Sequence, residues 1–104
     1  MNQNEMNIVE LITYAGNAKS KYMEALRSLR KKNFDEAKSF VMEADDIVLK
    51  AHVVQTNFIQ GELQGKESQH SLLMIHAQDH LMTTLMLKDI TKELIEIFRE
   101  DYHG

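Results

Sequence analysis

The chain has 104 residues, a length suited to one domain, expected to span residues 1–104. It contains no proline and only four glycines, which favours long unbroken helices, since proline inside a helix costs about 3 kcal/mol. A formal net charge of −4 and the lack of a basic stripe interleaved with aromatics argue against a nucleic-acid reader. The absence of cysteine removes any thiolate nucleophile and any cysteine-ligated zinc site, and it fits a reducing compartment.

The start, M-N-Q-N-E-M-N, has no cationic leader region. No apolar run approaches the ~18 residues of a membrane span. A cytoplasmic location without membrane insertion is therefore expected.

The first helix is predicted over about Asn4 to Leu29. Ile8, Leu11, Ile12, Ala15, Ala18, Tyr22, Ala25, Leu26 and Leu29 recur at spacings of three and four. Gly16 lies inside it and costs about 1 kcal/mol relative to alanine, unless a close helix contact requires it. The helix runs out at Arg27 to Lys32 (R-S-L-R-K-K). This cluster reads either as a cationic helix end favoured by the helix dipole or as a rim that attracts an acidic partner.

The second helix begins at Asn33, where N-F-D-E forms a capping-box arrangement with Glu36. Its stripe runs through Phe34, Ala37, Phe40, Val41, Ala44, Ile47, Val48, Ala51, Phe58 and Ile59. Gln55 falls within the stripe and His52 at its edge. A polar connection with two glycines follows from Gly61 to His70. His70 is either a plain loop residue or an added donor near the site below.

The third helix is predicted from Ser68 or Ser71 to Arg99. Three long helices joined by one short and one medium connection give an all-α, antiparallel up-down-up bundle. On a wheel with Leu72 at zero, Met86, Leu87, Ile90, Leu94, Ile97 and Phe98 fall between about −40° and +80°. This places the core-facing arc near 20°. His76 at about 40°, Asp79 at about −20°, His80 at about 80° and Thr83 at about 20° share it, whereas Gln78 at about −120° does not. A carboxylate on a buried arc needs a partner or a metal. The first half of the helix is apolar nearly all round, more than two neighbours of one small chain can cover, so self-association is expected.

Two histidines and an aspartate at i, i+3 and i+4 project together. Three chemistries meet that pattern. H-A-Q-D-H has the histidine pair of H-E-x-x-H, but Ala77 stands where a metalloprotease carries its glutamate, leaving a structural or regulatory metal. A serine triad lacks its elbow motif. A histidine nucleophile that carries a phosphoryl group needs a neighbour to hold its ring and donors for the phosphate.

The stretch H-A-Q-D-H-L-M-T-T, His76 to Thr84, resembles the active-site stretch of the lactose and chitobiose/cellobiose class of enzyme IIA of the bacterial phosphoenolpyruvate-dependent sugar phosphotransferase system. The resemblance extends to A-G-N-A-K-S (Ala15 to Ser20), E-A-L (Glu24 to Leu26), N-F-D-E-A (Asn33 to Ala37), A-H-V-V-Q-T (Ala51 to Thr56) and K-E-L-I-E (Lys92 to Glu96), nearly the whole chain. The V-V-Q-T and H-A-Q-D wording leans to the chitobiose/cellobiose branch. The lead before Ile8 is short for the class, and Gln69-His70 stands where an apolar residue is common.

The resemblance implies a phosphocarrier. His76 would become a tele-phosphohistidine, taking its phosphoryl group from HPr and passing it to a cysteine of a IIB component. Gln78 and His80 would flank it. It also implies a homotrimer of nine helices, with three Asp79 carboxylates sharing a divalent cation, Mg2+ by expectation, at the axis. The competing readings are a metal-binding oligomeric bundle and a non-enzymatic adaptor.

Overall fold

The computed structural model describes residues 1–65 and 71–103; His70, a sequence candidate, lies outside them. Three helices account for nearly all of it: α1 (Gln3–Arg30), α2 (Phe34–Leu63) and α3 (Leu72–His103). Among the described residues there is no strand. Side-chain bonds set the directions. Tyr22 meets Asp45 and Gln55 meets Gln78, so α2 runs against both neighbours. Thr84 meets Ala15 and Leu94 packs on the core around Ala25, so α3 runs parallel to α1. The rod measures 54 × 23 × 19 Å.

Each helix start is capped by a polar side chain. Asn2 Oδ1 accepts from the Glu5 amide at 2.8 Å, Asn33 Oδ1 from Glu36 at 3.1 Å, and Ser71 Oγ from Met74 at 3.1 Å. Glu36 returns the contact through its carboxylate to Asn33 Nδ2 at 3.0 Å. Between α1 and α2 the chain reverses in a Schellman turn. The Asn33 amide donates to Ser28 O and the Lys32 amide to Leu29 O, both at 2.9 Å. Lys32 occupies the left-handed position with φ 63°, where glycine is usual. At its far end α3 continues past Arg99 to His103, because no breaker stands in that segment.

The core is built on small residues. Ala15, Ala18, Ala25, Ala37, Ala44, Ala51 and Ala77 are all fully buried, and short side chains let helix axes approach closely. The stripes expected for the first two helices face the core, with Ile8, Leu11, Tyr22, Val41 and Val48 filling between the alanines and Phe34, Phe40, Ile47 and Phe58 half-buried; Ile59, expected in the α2 stripe, is instead exposed.

The third helix corrects the sequence reading. Its buried residues are Met74, Ala77, Leu81, Thr84 and Thr91, which fall between about 100° and 200° on the wheel. That side is opposite the expected arc. The large apolar residues Leu72, Ile75, Met82, Met86, Ile90, Ile97 and Phe98 remain 46–82% exposed. The inner side of α3 combines small Ala77, Thr84 and Thr91 with Met74 and Leu81, and most of its other large apolar residues face outward.

One polar tie joins all three helices. The buried Tyr22 hydroxyl donates to Asp45 Oδ1 at 2.6 Å, and Lys92 Nζ pairs with Asp45 Oδ2 at 2.9 Å. Burial, then the bond to Asp45, then the charges of Asp45 and Asp89 push the Tyr22 phenol well above its ordinary value of 10.0. The unfolded chain releases this proton above about pH 10 while the fold retains it, so stability falls as pH rises beyond that point. Tyr22→Phe is expected to flatten this alkaline loss in denaturant titrations between pH 9 and 11, relative to wild type. At Gly16 an added Cβ would meet nothing within 4 Å, so no close contact requires the glycine. Gly16→Ala is expected to raise stability by about 0.5–1 kcal/mol, seen as a higher midpoint in thermal unfolding.

Candidate functional site

The H-A-Q-D-H-L-M-T-T stretch occupies the first turns of α3 and divides its residues between two sides. Ala77, Leu81 and Thr84 are buried inward; His76, Asp79, Met82 and Thr83 are exposed. The inward residues fix the backbone from which the outward ones project. Thr84 Oγ1 lies 2.8 Å from His80 O and 3.1 Å from Ala15 O, so one hydroxyl ties the site's helix to α1. Sequence reasoning passed over Thr84. The signal available was a threonine one turn after His80, whose hydroxyl can bond back to the i−4 carbonyl.

His76 and His80 stand one turn apart with ring centroids 4.7 Å apart and planes at 86°. The edge-to-face packing limits rotation of the His76 ring, the exposed member of the pair. Neither ring is held by a charged partner among the described residues. Asp79 lies within the exposed apolar stripe, with Ile75 before it and Met82 after it. Its backbone carbonyl accepts from Thr83 Oγ1 at 2.8 Å. The expectation that His76, Asp79, His80 and Thr83 share the bundle's core-facing arc is therefore overturned: they share the outward one.

Gln78 sits elsewhere. It is half-buried between α2 and α3, and its Oε1 accepts from Gln55 Nε2 at 2.8 Å. Its own Nε2 makes only a long contact to Met74 Sδ at 3.9 Å. On the wheel it lies about 160° from His76, so within one chain the two do not converge. Gln55 joins Gln78, not the histidines; His52, one turn earlier on α2, is half-exposed.

Two grooves mark the surface. One of about 420 Å³ lies between the start of α1 and the end of α2, with Asn7, Glu10, Asn57 and Phe58 on its walls. Another of about 650 Å³ lies at the far end, between α1 and α3. His76 lines neither. Small substrates are usually taken into concave, largely apolar sites; an exposed histidine on a convex helix suits a docking macromolecule. Among the described residues no three histidine, aspartate or glutamate side chains of one chain gather closely enough to hold a metal ion. A cation at Asp79 would thus need ligands from other copies. No helix among the described residues is long and apolar enough to cross a membrane.

Comparison with known proteins fits this arrangement. Residues 6–99 match the model of the family described as PTS system, Lactose/Cellobiose specific IIA subunit. The chain is 44% identical over 102 residues to a PTS system lactose-specific EIIA component of Staphylococcus epidermidis, covering 96% of this chain and 98% of that one. Its fold is similar to the PTS cellobiose-specific enzyme IIA of Bacillus anthracis, with a TM-score of 0.94 and 35% identity over 100% of this chain and 96% of the other. It is also similar to a chain from the IIA(Chitobiose)-HPr complex of the Escherichia coli N,N'-diacetylchitobiose branch, with a TM-score of 0.81 and 33% identity over 96% and 97%. The relatives' names divide between lactose, cellobiose and chitobiose, so they do not select the branch toward which the motif wording leans. A three-helix chain that carries His76 and Asp79 on the outer face of α3 and matches these relatives over nearly its whole length belongs to the lactose/cellobiose-specific IIA family of the sugar phosphotransferase system.

Proposed function

We propose that this chain is the phosphoryl carrier of a sugar permease, with His76 the residue that carries the group. The observation behind this reading is the exposed His76 ring, steadied by His80 on the outer face of a continuous helix. The similarity to a IIA protein in complex with HPr supports phospho-HPr as donor. Nε2 of neutral His76 attacks phosphorus as the nitrogen–phosphorus bond to the donor histidine breaks, and the donor imidazole leaves neutral. In the second transfer a IIB cysteine thiolate attacks phosphorus as the His76 nitrogen–phosphorus bond breaks, and the bonding pair returns to His76 Nε2. Such reactions depend mainly on positioning and charge stabilisation. The sugar is a disaccharide of the lactose or cellobiose/chitobiose type, and the carrier works in the cytoplasm. Membership of the IIA family favours the carrier over the competing classes, since a metal-binding bundle or a plain adaptor would take no phosphate.

The working form is a homotrimer. Leu72, Ile75, Asp79, Met82, Met86, Ile90 and Ile97 form an outward stripe at spacings of mostly three and four, the pattern of a helix seam. Rotation about an axis along that stripe joins three parallel α3 helices and gives a nine-helix assembly. It brings three Asp79 carboxylates together. Mg2+, which takes oxygen ligands, fits such a donor set and would offset the repulsion among the carboxylates. On the α3 wheel α1 lies near 120°, marked by Thr84, and α2 near 220°, marked by Gln78 and Lys92. A cyclic arrangement sets the α1-side flank of one copy against the α2-side flank of the next. Gln78 thereby serves the His76 of a neighbouring copy, with its amide nitrogen as a donor beside the phosphoryl group.

Two measurements test this reading. Label from phosphoenolpyruvate, passed through enzyme I and HPr, is expected on the wild type and absent from His76→Ala; labelled His76→Ala, or loss confined to His80→Ala, overturns the assignment. In sedimentation, the wild type is expected at the mass of three 12.1 kDa chains, and Ile90→Glu as a smaller species. A stable wild-type monomer at micromolar concentration overturns the trimer.

A further inference from the structure

The far end of the bundle holds features that phosphoryl transfer leaves unused. The groove of about 650 Å³ between the last turns of α1 and α3 has apolar walls from Met23, Leu26, Leu94 and Phe98, with Arg27 and Arg30 on its rim. It lies about 33 Å along α3 from His76, at 1.5 Å per residue. Arg27 pairs locally with Glu24; Arg30 has no ion pair among the described residues. The opposite flank of α3 is acidic. Asp89, Glu93 and Glu100 are exposed and also lack an ion pair among the described residues.

These two surfaces lie on either side of the apolar stripe. Leu94 and Phe98 sit at about 40° and 80° on the wheel, Glu93 and Glu100 at about −60° and −80°, and the stripe centre near −20°. Rotation about an axis leaves height unchanged, so the acidic flank of one copy meets the groove of the next at the same level. We propose that the groove receives the acidic flank of α3 from a second copy of this chain, with Glu93 and Glu100 of that copy meeting Arg27 and Arg30. This rests on the trimer reading above and continues the same interface.

Exposed ion pairs contribute little singly. Here they close over an apolar floor, and their larger effect is on which arrangements are excluded. In an antiparallel arrangement the arginine rim would face the neighbour's α3 N-terminus, which carries the positive end of the helix dipole. The charges therefore select parallel, head-to-tail packing over its reverse.

Charge reversal with full-length protein tests the seam. Arg27→Glu with Arg30→Glu, and separately Glu93→Arg with Glu100→Arg, are expected to weaken trimer association on the order of a hundredfold in sedimentation equilibrium, from two pairs in each of three seams. All four substitutions in one chain are expected to restore it to within about tenfold of wild type. The milder Arg27→Gln with Arg30→Gln protects against misfolding, and circular dichroism verifies its helix. Its association should respond less steeply to salt than that of the wild type. Unchanged association in both reversed variants, absence of recovery in the fourfold swap, or an unaltered salt response in the glutamine variant overturns the seam. A wild-type trimer with those results leaves the trimer reading standing and assigns the groove to another ligand, such as an acidic peptide. A wild-type monomer overturns both.

Discussion

The structure depends on the close approach of α1 to both neighbours, which the buried alanines permit. Ala15, Ala18 and Ala25 on α1 face Ala37, Ala44 and Ala51 on α2 and Ala77 on α3 with no exposed surface. Three rods packed this tightly have little room for large side chains between them. α3 therefore places Ala77, Thr84 and Thr91 inward beside Met74 and Leu81, and turns Leu72, Ile75, Met82, Met86, Ile90 and Ile97 outward. A helix with its bulky apolar side turned to solvent is unsatisfied alone, and the proposed assembly follows from that. The polar tie of Tyr22, Asp45 and Lys92 fixes the relative height of the helices, because a buried phenol without its partner would be costly.

The chemistry inherits this geometry. His76 is outward because Ala77 beside it is inward, and the small residue sets the direction of its larger neighbour. His80 follows one turn later and lends its ring edge, while Thr84 ties the backbone beneath both to Ala15. The amide pair Gln55 and Gln78 bridges α2 and α3 on the other flank. Each side of α3 thus carries half of a polar constellation, which the proposed ring of copies would bring together.

Much of this was legible in the sequence. The spacing of apolar residues gave most of two of the three buried stripes, the N-F-D-E cap located the start of α2, and the motif stretches gave the family. The facing of α3 was not legible. A wheel weighted toward large apolar residues finds the heaviest side of a helix, and here that side lies away from the helix's own bundle. Ala77, Thr84 and Thr91 carry too little hydrophobicity to show that they form the inner seam. The same error placed Gln78 on the outside, where the structure has it bonded between helices. Self-association was inferred from the all-round apolar character of the first half of α3, and the exposed apolar stripe is the surface proposed for it.

The open position of His76 bears on how such a carrier would be controlled. Its ring is already exposed on an unbroken helix, and no described segment covers it. A carrier of this design has no internal clock. Its turnover would follow collision frequency, and the direction of flow would follow the relative phosphorylation of the donor and acceptor pools. It would run backwards as readily as forwards when those pools invert, so control over net transport would lie in the abundance and charging of its partners.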